Sequence, residues 1–510
     1  MDKPRLRFAP SPTGALHIGG VRTALYNYLL AKKYSGTFIL RIEDTDQTRF
    51  VEGAEQYISE ALKWCGIIPD ESPEKGGEFG PYRQSERRDI YLQYTRQLID
   101  SGKAYYAFDT PEELDARREE EKNKGNHSFM YGQQNRLSLK NSLSMPPEEV
   151  TLLLEQGVPY TVRLLVPDNE DIAILDLIRG EVHINTSGLD DKVLLKADGL
   201  PTYHLANVVD DHLMEISHVV RGEEWLPSTA HHVLLYRAFG WRPPHFAHLP
   251  LILKPVGSGK LSKRDGKKLG IPVFPISWEG QTPEESFEGF REFGFDPAAV
   301  VNFLAFLGWN PGTEQEIYSL EALINAFSVD HIGRSGARFD YDKALWFNQQ
   351  YIIASDNAKL CLAVRPVIEG HGYQPSDDFL THFVELYRER VHRYPEFWDQ
   401  GYYLFEPVRN YESKPIRKKW KPERADVLNE LLAQLKTLEP FSAQAIEATV
   451  QDFLAEKELG FGDVLPFFRI GLAGTMKGPA VFDIMALMGK KMALERLEAA
   501  WSVFDGMLQN

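Results

Sequence analysis

The sequence predicts an α/β core built on a parallel sheet, split by an α+β insertion and followed by an all-α C-terminal region. Three observations predict it. Short apolar runs alternate with helical periodicity in the first part of the chain. That alternation lapses near residue 110 and returns near residue 196. Beyond residue 285, strand signals nearly vanish.

Residues 5–9 form a short apolar stretch ended by Pro10 and Pro12, and Gly14 marks the turn that follows. Ala24, Leu25, Tyr28, Leu29 and Ala31 then recur at helical spacing. Residues 38–42 make a largely apolar run, as expected of a parallel strand covered on both faces. Helices are expected over 53–64 and 87–98, which places helices on the faces of a sheet. The pattern changes with a charged helix over 112–124, a polar irregular stretch over 126–147, and strands over 160–166 and 182–186. This reads as an insertion and not as a continuation of the sheet. Helices over 201–214 and 224–239 and strands over 216–220 and 246–253 restore the α/β pattern. From residue 296 helical periodicity dominates, as in Val384, Tyr387 and Val391, or Ile484, Leu487 and Met488. The boundaries are therefore 1–109 and 196–254 for two halves of a Rossmann-type domain. Residues 110–195 form the insertion, 255–335 a region with a basic loop, and 336–510 a helical domain.

At roughly 150 residues per domain, 510 residues allow about three or four domains. There is no apolar run of about 18 residues, and the MDKPRLRF start lacks the apolar core of a signal peptide, so a cytoplasmic protein is expected. Cys65 and Cys361 cannot make a disulfide framework, and Cys65 falls in step with Ile58, Ala61 and Leu62 as a core residue. The formal net charge of -16 weighs against generic nucleic-acid binding. Such a role must rest on local basic surface. Residues 414–421, KPIRKKWK, with Arg424 just beyond, are one candidate and read equally well as a solvated loop.

Two segments carry phosphate chemistry. Residues 7–14 and 16–20, RFAPSPTG and LHIGG, sit at a strand-to-helix junction. A helix N-terminus there offers free N–H groups, glycines allow close approach, and a histidine can donate to phosphate oxygens. Lys260-Leu-Ser-Lys263-Arg264, between Gly257, Gly259 and Gly266, reads as a mobile loop with compact positive charges that can close on a leaving pyrophosphate. Each alone fits a tight turn or a solvated basic loop as well.

Together they do not stand alone. The ordered segments APSPTG, LHIGG, RIEDTD, GLPTYHLANVVDDH, RGEEW and KLSKR resemble class I glutamyl-tRNA synthetases of the bacterial type, most strongly over 7–46 and 198–264. The resemblance implies a glutamate–tRNA ligase that uses ATP with Mg2+, activates glutamate only with tRNA bound, and works as a monomer on tRNA(Glu), with no membrane partner. It makes the insertion an acceptor-stem-binding element, 255–335 a stem-contact region, and 336–510 an anticodon-binding domain. His17, Lys260 and Lys263 are the implied catalytic residues. His17, Gly19, Gly20 and Lys263 match the ATP-phosphate site, with Gly20 standing where the name-giving motif ends in histidine. Leu251 and Ile252 match a strand whose backbone receives adenine.

For the amino acid, a side-chain carboxylate asks for a guanidinium fork that rejects a neutral amide. Arg7 and Arg221 resemble the family's substrate arginines, Glu43 fits the ammonium, and Ser11, Tyr203, Asn207 and Trp225 complete the wall. Plainer readings are core aromatics for Tyr203 and Trp225 and an ion pair of Arg221 with Glu223 or Glu224. Asp44 and Asp46 read as solvated or helix-capping. Arg390 resembles a cytosine-reading arginine and reads equally as an exposed helix arginine. Some relatives hold a zinc where Ala107 and Asp109 stand here; residues 100–145 offer no Cys and only His127, so no zinc and no other metal site is expected. Residues 272–280, PVFPISWEG, look like an extra loop after KLSKR. The rival readings are an enzyme that also charges tRNA(Gln), a glutaminyl-tRNA synthetase, a truncated paralogue, and an inactive tRNA-binding protein.

Overall fold

A computed structural model of the chain describes residues 3–127, 129–280 and 282–508. Residues 1–2 of the start read as leaderless, and residue 128 of the irregular 126–147 stretch, lie outside the described residues. The chain divides into two compact units, Met1–Glu292 with Pro297–Tyr341, and Phe293–Asp296 with Asp342–Asn510.

The first unit opens with β1 (Arg5–Phe8), α1 (Ile18–Lys33), β2 (Thr37–Leu40), α2 (Ala54–Trp64) and α3 (Arg88–Asp100). It continues through β3 (Ala104–Ala107), α4 (Pro111–Asn123), α5 (Pro147–Glu155), β4 (Thr161–Leu164), β5 (Asp171–Asp176), β6 (Gly180–Asn185) and β7 (Val193–Leu195). Next come α6 (Tyr203–Leu213), β8 (His218–Gly222), α7 (Thr229–Phe239), β9 (His245–Leu249), β10 (Ile252–Leu253), α8 (Lys263–Leu269) and, late in the unit, β11 (Ala337–Arg338).

The central sheet has six strands in the order β2-β1-β8-β9-β5-β6. Its first five strands are parallel, as the buried runs Leu6-Arg7-Phe8 and Phe38-Ile39-Leu40 require, and only β6 is antiparallel. Arg7 pairs in register with Ile39, and Arg221 with His248. The neighbour of β1 on one side is β2 and on the other β8, so the strand order reverses between β1 and β8.

Residues 110–195 are thus not wholly an insertion, and this corrects the sequence reading. The β5–β6 hairpin extends the central sheet through the parallel pairing of Asp176 with Phe246. A contact across that much sequence leaves no local signal, and the half-buried alternation of DIAILD looks the same in any sheet. A separate antiparallel sheet, β3-β4-β7, forms the rest of that region. The helix expected over 224–239 begins as a 3-10 turn at Glu223–Ser228, where Pro227 has no N–H to give. The strand expected over 246–253 breaks at Pro250, and β10 pairs with β11 in a sheet of its own.

The second unit is helical, as expected of residues beyond 336. Its core gathers Phe383, Tyr387, Phe397, Trp420, Phe467, Trp501 and Phe504. The basic run is a helix, Ser413–Lys419, and not a loop. Ile416 and Trp420 are buried, Trp420 donates to Asp505 at 2.7 Å, and Lys414, Arg417, Lys418 and Lys419 are exposed. No described helix is long and apolar enough to cross a membrane.

Candidate active site

A cleft of about 970 Å³ opens in the first unit, where β1, β8 and β9 end. Ligands of open parallel sheets bind at the carboxyl ends of the strands where the order reverses. All the residues predicted for catalysis, for ATP and for the amino acid line this cleft.

One wall is a buried charge network. Arg7 Nε and Nη2 donate to the two oxygens of Asp211 at 2.9 and 3.1 Å. Arg41 Nη1 donates to the same carboxylate at 2.8 Å and Nη2 to Glu43 Oε1 at 3.1 Å. Asn207 donates to that Glu43 oxygen at 3.1 Å. Burial alone pushes the Asp211 carboxyl up, but Arg7 and Arg41 outweigh it and hold it below the ordinary range. Burial wins at Glu43, whose pKa lies above the ordinary carboxylate value despite Arg41 and Arg7. Sequence reasoning missed Arg41, Asp210 and Asp211. The signal for the two aspartates was a charged pair inside the apolar run of α6, where Asp210 anchors Arg87, Gln84 and Tyr91, and for Arg41 a charge inside the apolar run 38–42. The fork of Arg7 is thus largely occupied, and the two arginines are not equivalent.

Arg221 is different. It is buried, yet among the described residues no carboxylate lies within ion-pair distance of it. Neutral acceptors hold it: His248 Nε2 at 3.1 Å, Tyr203 Oη at 2.9 Å and Thr229 Oγ1 at 2.9 Å. His248 Nδ1 lies 2.6 Å from Asp176 Oδ2, so its proton sits there and Nε2 is left to accept from the guanidinium. The plainer reading, an ion pair with Glu223 or Glu224, does not hold. Glu223 bonds Arg179 and the Leu251 N–H, and Glu224 takes Lys260 Nζ at 2.6 Å. Trp225 is no core aromatic: it is 40% exposed and packs on Tyr203 with ring centroids 4.3 Å apart. Ser11, also exposed, lies at the rim.

The opposite wall joins the two phosphate motifs. His17 caps α1, with Nδ1 accepting from the Gly19 N–H at 3.1 Å. Its proton therefore resides on Nε2, which is buried and unpartnered. Burial first, then Lys263 and Lys260, pull its pKa down to about 3, so it is neutral. Lys263 is the first residue of α8, and its Nζ lies 3.6 Å from where a Cβ would stand on Gly14. Gly14 has φ +126°, a backbone state that favours glycine. Burial lowers the Lys263 pKa. Leu251 spends its N–H on Glu223 and its carbonyl on Ala337 at 3.0 Å, so only Ile252 of the expected pair is left to offer an N–H.

Elsewhere, Asp44 is buried and accepts from the Ser85 N–H and hydroxyl at 2.8 and 2.6 Å, while Asp46 is partnered by Thr48 and Arg49 at the surface. Asp109 accepts from Tyr131 Oη at 2.9 Å and the Lys140 N–H at 3.1 Å. Among the described residues no cluster of three or more His, Cys, Asp or Glu is placed to hold a metal. Arg390 lies outside the cleft, in the second unit, exposed in the turn after the helix Asp377–Tyr387. Its carbonyl takes Gln400 Nε2 at 2.7 Å.

A parallel sheet with a capped helix N-terminus and a basic loop at its carboxyl edge is the arrangement of a nucleotide-binding α/β fold, here with a buried arginine that lacks a counter-charge. Residues 3–346 match the family described as "tRNA synthetases class I (E and Q), catalytic domain", and 359–501 match an anticodon binding domain. The chain belongs to that class I tRNA synthetase family. It is 53% identical to a glutamate–tRNA ligase of Flavobacterium johnsoniae over 98% of this chain and 99% of that one. It is also 53% identical to one of Porphyromonas gingivalis, over 98% of each chain. A crystal structure of a glutamate tRNA ligase from Elizabethkingia meningosepticum in complex with its amino acid superposes with TM-score 0.96 at 47% identity, over 99% of this chain and 100% of that one.

Buried and half-buried histidines set an acid limit on stability. His17 and His204 are held to about 3 and His218 to about 4, in each case chiefly by burial. Their folded values lie below the ordinary 6.5, so the unfolded chain binds more protons between those limits and stability falls as pH drops below 6.5. At pH 5.5 each costs roughly 1 kcal/mol, and the first unit is expected to melt roughly 4 °C lower than at pH 7.5. Calorimetry at the two pH values checks this; equal midpoints would show that these rings titrate normally.

Proposed function

We propose that the chain is a glutamate–tRNA ligase, which forms glutamyl-adenylate from glutamate and ATP and transfers glutamate to the 3' end of tRNA(Glu). The observation that carries the reading is Arg221: a buried, permanent positive charge with only neutral partners, in the same cleft as His17 and Lys263. Such a charge is costly until an anion arrives, and a carboxylate side chain supplies it where an amide does not.

In this reading Arg221, with Tyr203, takes the side-chain carboxylate. The unused Nη1 of Arg7 lies on the same wall, and Glu43 Oε2 accepts the ammonium. Ser11, Asn207 and Trp225 complete the pocket. His17 Nε2 and Lys263 take the triphosphate, Gly19 and Gly20 leave room for it to approach the backbone, and the Ile252 N–H meets adenine. The substrate α-carboxylate attacks the α-phosphorus and pyrophosphate leaves toward Lys263. The terminal ribose hydroxyl of tRNA then attacks the adenylate. Positioning and charge stabilisation suffice, so no protein nucleophile is assigned. Mg2+ is expected to arrive with ATP; the described residues form no cage for it, and no step is assigned to it. The helical unit, with Arg390, reads the anticodon, the β3-β4-β7 region meets the acceptor stem, and the enzyme acts as a cytoplasmic monomer.

Separate tRNA(Glu) and tRNA(Gln) transcripts incubated with labelled glutamate or glutamine test this. Glutamate is expected on tRNA(Glu), and glutamine on neither. Glutamine charging would overturn the assignment, and glutamate on both transcripts would identify a non-discriminating enzyme.

A further inference from the structure

We propose that residues 271–280, paired with 286–290, are a built-in brace that holds the KLSKR loop against the His17 turn before ATP arrives, with Phe274 as its positioning residue. This rests on the reading of His17 and Lys263 as triphosphate ligands.

The tract is no surface loop. Val273, Phe274 and Ile276 are each about 2% exposed or less. It is tied to three helices. The Val273 carbonyl accepts the Ile18 N–H, in the first turn of α1, at 3.0 Å. Tyr57 of α2 donates its hydroxyl to the Ile276 carbonyl at 2.6 Å and packs edge-on against Trp278. In α8, a Cβ on Gly266 would stand 2.6 Å from Val273 Cγ2 and 3.0 Å from the Ile271 carbonyl, so that helix lies directly on the tract. Reciprocal backbone bonds between Trp278 and Phe287, at 2.9 and 3.0 Å, close the tract on itself.

Phe274 sits where the phosphate motifs meet. Its ring meets the His17 ring at 82° with centroids 5.7 Å apart, stacks on Phe287 at 3.9 Å, and has Lys263 Nζ 5.6 Å from its centroid. It excludes water from His17 and offers the ammonium a face. A glycine-flanked loop otherwise loses its freedom when ligand binds, at about 1–2 kcal/mol per residue ordered. Here that ordering belongs to folding, and ATP meets a preformed site.

Limited trypsin digestion of the full chain, with cuts at Lys260, Lys263 and Arg264 mapped by mass spectrometry, tests the brace directly. The parent is expected to be cut there equally slowly with and without ATP. Phe274→Ala is expected to be cut quickly without ATP and slowly with it, and to raise the KM for ATP about tenfold, the equivalent of one residue's ordering. Its KM for glutamate should stay within about twofold. Phe274→Leu, which restores apolar volume, should recover most of the protection. Tyr57→Phe removes one tether with little risk to the fold and should raise the KM for ATP about two- to threefold; it decides the matter should Phe274→Ala not fold. ATP-dependent protection in the parent, or an unchanged KM for ATP in Tyr57→Phe and in a folded Phe274→Ala, overturns the brace. Unchanged ATP kinetics in Lys263→Ala would instead overturn the reading of the site beneath it.

Discussion

Replacing Arg221 by methionine is expected to lower kcat/KM for glutamate by at least about 100-fold while leaving the melting temperature unchanged or higher. The kinetic loss follows from removing one partner of a desolvated charge pair, which typically costs about 2–5 kcal/mol. The stability expectation runs against habit. In the free enzyme the guanidinium is buried among His248, Tyr203 and Thr229 with no counter-charge, so it destabilises the fold that carries it. Methionine keeps apolar volume and removes the charge. Steady-state kinetics in both amino acids, with calorimetry on the same samples, check both halves. Unchanged glutamate kinetics would remove Arg221 from the pocket. A large fall in melting temperature would make it a structural residue.

The second large effect is expected at Lys263. Lys263→Ala should slow adenylate formation by about 100- to 1000-fold, the usual loss when a charge aimed at a developing anion is removed. The KM for glutamate should move by no more than about threefold, because the ammonium acts on the leaving group and not on the amino acid. Lys260→Ala should cost less, since Lys260 Nζ is already bound to Glu224 at 2.6 Å, with a side chain 57% exposed. Single-turnover measurements with tRNA present separate the step from binding. Equal losses in adenylate formation and in glutamate affinity would place Lys263 elsewhere in the mechanism.

Much of this site was legible before any coordinates. His17, Lys263, Glu43 and Arg221, which line the cleft and are proposed to meet ligand, stood out because they lie in short ordered segments of restricted type and spacing. What was not legible is the layer behind them. Asp176 fixes the tautomer of His248, and Asp211 occupies the fork of Arg7, but each does so across a fold contact with no local pattern. The β5–β6 hairpin was misassigned for the same reason: its alternation is visible, but its partner strand is not. The 272–280 tract looked like a loop because its prolines and glycine are turn residues. Its burial comes from packing on α1, α2 and α8, which no window of sequence contains.

The hydrogen-bonded line from Asp176 through His248 to Arg221 has a consequence for how such an enzyme changes over evolutionary time. Asp176, which fixes the His248 tautomer, belongs to the β5–β6 hairpin and is not itself a cleft-lining residue. Under the role proposed for Arg221, a substitution at Asp176 alone would alter how the arginine is held while every cleft-lining residue stays the same. Comparison of lining residues by themselves would not register such a substitution.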